Sequence, residues 1–124
     1  MTFEERATVA ASAVQELEKI ANRMASLEQS IENKFVVEAR KVYGIDAIKF
    51  GRDGWPDRLV PLGRDYPGAM IWIEFKTVDG RLRPNQKVRH KQLAAMGQTV
   101  FVCRSHQEGL GAIAKARRSI DRTK

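Results

Sequence analysis

The first third of the chain carries a helical period. Ala10, Ala13, Leu17, Ile20, Met24, Leu27 and Ile31 follow one another in alternating steps of three and four residues. An average step of about 3.5 residues keeps one apolar seam of a helix facing a second helix. Residues 3–27 contain no Gly or Pro and are rich in Ala, Glu, Leu and Gln, which suits a helix. The seam either packs on the chain's own domain or pairs with another helix as a dimerisation arm. A domain of this size would struggle to cover both the seam and a sheet, which favours a homodimer. Ser26-Leu-Glu-Gln29 has the form of a capping box and predicts a break there. A second helix is then expected over 30–43, with Ile31, Phe35, Val36, Ala39 and Val42 on one face and Gly44 ending it in a left-handed cap.

Past Gly44 the period shortens to that of strands. Asp46–Phe50, Asp57–Leu62 and Ala69–Lys76 read as strands, separated by the Gly51–Pro56 loop and a turn over Gly63–Gly68. Pro84 suits the first position of a helix running to about Met96, stopped by Gly97. Gln98–Cys103 is apolar enough to predict a strand buried on both faces. A last helix is expected from about Gln107 to Ile120. The order predicts an α/β fold, a mixed sheet of about four strands flanked by helices. Residues 1–29 form an extra N-terminal helix and 30–124 the main domain.

Composition narrows the partner. The chain has 124 residues, enough for one core, and a net charge of +7. Residues 1–62 carry 9 Lys/Arg and 10 Asp/Glu, whereas residues 63–124 carry 13 and 5, so the excess lies in the second half. A balance this basic makes a polyanion the expected partner, nucleic acid before an anionic membrane surface. A single cysteine, Cys103, excludes an internal disulfide framework and a cysteine zinc site and suits a reducing compartment. No apolar run spans a bilayer, and the acidic start MTFEERATV is not a secretory signal, so the expectation is a cytoplasmic protein. No Gly-rich phosphate loop is present, so no nucleotide cofactor is expected.

The chemistry gathers on two strands. Asp57 begins one, while Glu74 and Lys76 lie two apart on the next and so share a face with Trp72. Ile71, Ile73 and Phe75 point the other way. If the strands pair, Asp57 converges on Glu74, placing two carboxylates beside an ammonium. Paired carboxylates suit a hard divalent cation such as Mg²⁺ (or Mn²⁺), which uses few protein ligands. Such a cation polarises a phosphodiester oxygen and activates water, and a neighbouring lysine steers that water or offsets phosphorane charge. The bland alternative is a solvated strand face and a turn aspartate. Gln86, in the first turn of the helix begun by Pro84, can reach over the end of the strand and hold a water or the lysine.

The stretches Gly54-Trp-Pro-Asp-Arg-Leu-Val60, Ile73-Glu-Phe-Lys76 and Gly80-Arg-Leu-Arg-Pro-Asn-Gln86 resemble the VRR-NUC (virus-type replication-repair nuclease) domain of the PD-(D/E)XK nuclease superfamily. The resemblance covers roughly residues 30–114, and small stand-alone members are common in phages and bacteria. It implies Asp57 and Glu74 as metal ligands, Lys76 as the catalytic lysine and Gln86 as a further signature residue. It also implies a glutamate on the preceding helix, for which Glu32 fits best and Glu38 competes. Trp55 departs from the pattern, because that position is usually small or β-branched. The implied activity is a Mg²⁺-dependent DNA endonuclease, selective for branched substrates such as Holliday junctions.

Basic residues crowd the same region. Arg81, Arg83, Lys87 and Lys91 are the expected phosphate contacts, with Lys49 and Arg58 also within reach. The tail of Lys115, Arg117, Arg118, Arg122 and Lys124 reads as a solvated helix end. Nine aromatics with no basic–aromatic alternation give no evident stacking platform, which leans toward duplex or junction DNA. Cys103, His90 and His106 are expected to be bystanders. Two other readings stand beside the nuclease: a non-catalytic basic DNA-binding adaptor, and an interaction protein whose helix recruits a partner.

Overall fold

The computed structural model describes all of residues 1–124. Helix α1 (Phe3–Tyr43) is continuous for 41 residues, about 60 Å at 1.5 Å per residue. Thr2 caps its start through a reciprocal pair with Glu5, and Gly44, at φ 66°, closes its end on the carbonyls of Ala39 and Arg40. The break expected at Ser26–Gln29 is absent. Ser30 Oγ donates to the carbonyl of Ser26 one turn back, and Gln29 Nε2 donates to Asn33 Oδ1. These polar side chains satisfy themselves along the helix, so it runs through.

Four short strands follow: β1 (Ile48–Lys49), β2 (Arg58–Pro61), β3 (Met70–Phe75) and β4 (Val100–Cys103). They lie in the order β1-β2-β3-β4. The first three form an antiparallel meander, and β4 joins β3 in parallel after helix α2 (Pro84–Ala95) crosses over. Helix α3 (His106–Asp121) closes the chain. The fold is α/β, as the pattern predicts. One expectation fails: β4 is an edge strand, not a strand buried on both faces, and Val102 stands 37% exposed. Apolar content did not distinguish an edge from a centre, because that depends on strand order.

The core fills the sheet face covered by α1 and α3. Phe35 and Ala39 of α1, Ile71, Ile73 and Phe75 of β3, and Ala112 and Ile113 of α3 are all buried there. Phe35 and Phe75 meet at 5.1 Å between ring centroids. The two helices approach closely at Gly109, where a Cβ would lie 2.5 Å from Phe35 Cδ1. Arg117 adds a polar lock, its guanidinium lying 4.6 Å from the Tyr43 ring and 5.0 Å from that of Tyr66 while Nε donates to the Leu62 carbonyl. This tail arginine is therefore packed and not part of a free positive patch.

Only the last part of α1 reaches the domain. Glu32, Phe35 and Ala39 are its buried residues, and every residue from 1 to 23 is exposed. Leu17 is 66% exposed and Ile20 47%. The apolar seam thus projects about 30 Å with no cover from its own chain. No helix is long and apolar enough to cross a membrane.

Replacing Gly109 with Ala will destabilise the protein by about 1–3 kcal/mol, because overpacking against Phe35 outweighs the gain of about 1 kcal/mol in helix propensity. Urea denaturation followed by circular dichroism measures it. An equal or higher midpoint would show that α1 and α3 do not meet at this glycine.

Candidate active site

The end of the β2–β3 ladder brings the acids together. Arg58 pairs with Ile73, and one step further along the same register Asp57 stands opposite Glu74. Residues opposite each other in an antiparallel pair point to the same face. Asp57 and Glu74 therefore share the face away from the α1–α3 core, as strand alternation predicts. Asp57 is held by the neighbouring backbone: Oδ2 accepts the Phe75 N–H at 2.7 Å. Its carboxyl lies close enough to that of Glu74 to raise the pKa of the latter.

Glu74 is 2% exposed and Lys76 7%. Burial, the hydrogen bond to Asp57 and the charge of Asp57 push Glu74 up to about 9. Two adjoining carboxylates, one of them buried, resist ionising together, so Glu74 keeps its proton at neutral pH. Lys76 opposes the shift but does not cancel it. No ion pair within 4.0 Å involves Lys76. The side chain is largely covered, and its positive charge acts on Glu74 without an ion-pair contact.

Helix α2 covers this corner. Gln86 is buried, with Nε2 3.4 Å from Glu74 Oε1 and Oε1 accepting the Arg83 N–H at 2.9 Å. That second bond fixes which way the amide points. One turn on, His90 presents Nε2 3.6 Å from Glu74 Oε1, with its side chain 11% exposed. Nε2 is buried and has no hydrogen-bond partner. Burial and then Lys76 hold the ring below the usual histidine range, despite an opposing pull from Asp57. A neutral imidazole next to a protonated carboxyl is not an ion pair. His90 was set aside as a bystander in the sequence. Its signal was spacing: Gln86, His90 and Leu93 form one inward stripe at steps of four and three.

The helix carboxylate differs from expectation. Glu32 is buried, but its Oε2 accepts from Arg58 Nε at 2.7 Å and Lys49 Nζ at 2.9 Å. It braces α1 against β1 and β2 instead of facing Glu74. Glu28, one turn earlier, is the helix carboxylate whose charge acts on Glu74. Glu38 lies beyond Glu32, half-buried. Arg58, expected to reach DNA, is 13% exposed and committed to Glu32 and to the Ala47 carbonyl. Lys49 shares that partner but keeps half its surface in water.

No three or more His, Cys, Asp or Glu side chains converge as a metal cage. The oxygen donors available to a cation are the Asp57–Glu74 pair. They fit a hard ion that retains most of its waters, Mg²⁺ or Mn²⁺.

The loop before Asp57 is fastened to α2. Asp53 accepts from Arg83 at 3.0 Å and from Asn85 at 3.3 Å. Gly54 is buried at φ 80°, with room for a Cβ only 3.2 Å from Asn85 Nδ2. Arg83 is thus partly occupied, whereas Arg81, Lys87 and Lys91 stand exposed without ion partners. Contrary to the sequence expectation, aromatics do gather: Phe50, Trp55 and Trp72 meet at 4.9–5.6 Å between centroids. They come from a strand end, a loop and β3, so no alternation along the chain announced them.

Cys103 is buried and its thiol is pushed up to about 12 by that burial, which makes it inert. A cleft of about 520 Å³ at the opposite end of β3, bounded by Met70, Phe101 and Ile120, has no carboxylate or histidine in its wall. No protein-family model matches the sequence, and no curated protein matches it.

The proton on the acid pair makes stability depend on pH. Glu74 binds its proton more tightly folded than unfolded, so stability falls as pH rises from its ordinary value of 4.5 toward about 9. The slope is at most about 1.4 kcal/mol per pH unit for one proton. In metal-free buffer Glu74→Gln will flatten this decline and match or exceed the wild type at pH 8. Melting curves across that range measure it, and an unchanged slope would remove Glu74 as its source.

Proposed function

We propose that the chain is a divalent-metal-dependent DNA endonuclease of the VRR-NUC type that hydrolyses phosphodiester bonds and works as a homodimer. The observation that carries this reading is the carboxyl pair of Asp57 and the buried Glu74, with Lys76 beside it and in no ion pair. An acid pair built for stability alone would have a cation paired to it, as Glu32 has Arg58. The motif order of Pro-Asp, Glu-x-Lys and Pro-x-Gln supports the same conclusion.

Asp57 and Glu74 would hold Mg²⁺ or Mn²⁺, and the bound ion would supply charge stabilisation at the phosphate and a more acidic water. The chain's own groups do the rest. To hold the cation the carboxyl pair would have to release its proton, so binding would tighten as pH rises. Lys76, with no carboxylate to neutralise it, donates to the attacking water or to a phosphate oxygen as charge develops. Gln86 keeps Glu74 Oε1 in place because its own oxygen is held by Arg83. Arg81, Lys87 and Lys91 take neighbouring phosphates. Glu32 acts through Arg58 to set α1 against the sheet.

The uncovered seam of α1 supports two copies per assembly. Two symmetric sites suit paired cuts in branched DNA such as a four-way junction.

Asp57→Asn, Glu74→Gln and Lys76→Ala will each lower Mg²⁺-dependent cleavage of a junction or plasmid by about 100-fold or more while gel-shift binding persists. Wild-type protein that binds DNA yet never nicks it in Mg²⁺ or Mn²⁺ would replace the nuclease with a basic adaptor. For the arm, Leu17→Asp combined with Ile20→Asp will reduce the sedimenting mass from about twice 14.0 kDa to one chain. A wild type already sedimenting as one chain would reject the homodimer.

A further inference from the structure

Trp55 is poorly explained as core. It stands on the Gly51–Pro56 loop, half-buried, outside the cluster that fills the α1–α3 side of the sheet. Phe50 and Trp72 support it at 4.9 and 5.6 Å. Trp72 is itself buried and anchored through Nε1 to Gln98 Oε1 at 3.2 Å. Asp53 ties the loop to Arg83 and Asn85 of the helix alongside. The indole is therefore a half-open ring packed on two aromatic neighbours, one of them buried and anchored.

Its position and charge both matter. Trp55 lies two residues before Asp57, and Trp72 two residues before Glu74 on the same sheet face, so the aromatic group borders the acid pair. Two guanidinium groups attend the ring: Arg89 Cζ lies 4.3 Å from its centroid and Arg52 Cζ 5.7 Å. Arg52 is exposed and Arg89 half-buried. An arginine resting on an indole is held weakly and can turn to a phosphate when a better stacking partner arrives. A nucleobase is such a partner, with its own phosphate one bond network away.

We propose that Trp55, backed by Phe50 and Trp72 and flanked by Arg52 and Arg89, stacks an unpaired nucleobase next to the cleaved phosphate. A base inside continuous duplex has neighbours on both faces and cannot offer its π-face to a side chain. The platform therefore selects DNA that is single-stranded or frayed at the site over uninterrupted duplex. This rests on the nuclease reading only for the location of the phosphate, because stacking itself needs neither metal nor cleavage.

The test is done in EDTA, with no turnover. Trp72→Phe leaves Trp55 as the sole indole, and its fluorescence is titrated with oligothymidylate, with an abasic strand of equal length and with blunt duplex. Oligothymidylate will quench it; the abasic strand will bind without quenching. Trp55→Ala will weaken oligothymidylate binding about tenfold and leave duplex affinity nearly unchanged. Trp55→Leu, which fills apolar volume without a π-face, will behave like Ala, whereas Trp55→Phe will recover part of the loss. Melting curves identify any variant that fails to fold, and Leu and Phe then decide. Equal losses on single strand and duplex, or Leu as good as Phe, would overturn the proposal. A protein that proves unable to cut DNA leaves these binding results readable, so the two failures are distinct.

Discussion

Asp57 accepts the amide of Phe75 with one oxygen and meets Glu74 with its carboxyl, and much of the molecule is arranged around that double duty. The first contact continues the β2–β3 ladder past its last residue pair, so the strands stay in register where the loop begins. The second places a half-buried acid against a buried one, Glu74. A buried acid beside a second carboxyl, with a lysine in no ion pair nearby, opposes folding, and the rest of the domain must offset it. The offset comes from the other side of β3. Ile71, Ile73 and Phe75 are buried against Phe35, Ala39 and Ile113, and they hold the strand that presents Glu74 and Lys76.

Helix α2 contributes little apolar burial of its own. Only Gln86 and Leu93 are buried along it. Its hold depends on polar fastening: the Gln86 amide between Arg83 and Glu74, and the Asp53 bridge to Arg83 and Asn85. The lid of the site and the loop bearing Trp55 are thus tied to each other more than to the core. Exposed ion pairs such as Arg83–Asp53 weaken with salt, so this fastening loosens as ionic strength rises.

What could be read from the sequence was what short-range geometry decides. Alternation along Ile71–Lys76 separated the core residues from the chemical ones, and Pro84 marked the start of α2. Errors arose where the deciding partner is remote or where local letters have two uses. Ser26 looks like a cap, but the Ser30 hydroxyl donating to its carbonyl one turn back keeps the helix unbroken. Glu32 occupies the expected turn of the helix, but Lys49 and Arg58, 17 and 26 residues away, take its carboxylate. That leaves Glu28 as the helix acid felt by Glu74. His90 and the aromatic trio were missed for the same reason, since their company is set by how α2 and the loop fold back on β3.

Helix α1 has one further consequence. The same unbroken rod carries Phe35 and Ala39, fixed in the core, and Leu17 and Ile20, in open solvent. It contains no Gly or Pro that could act as a swivel between them. Each residue of an α-helix turns the rod by about 100°. Whatever docks on the seam is therefore held at a defined angle around the helix axis as well as a defined distance from Glu74. Insertion of a single residue near Arg23 would rotate that partner to a different side of the molecule with every local contact intact. The arm sets angular phase, and its length can change only by whole turns without altering what the site faces.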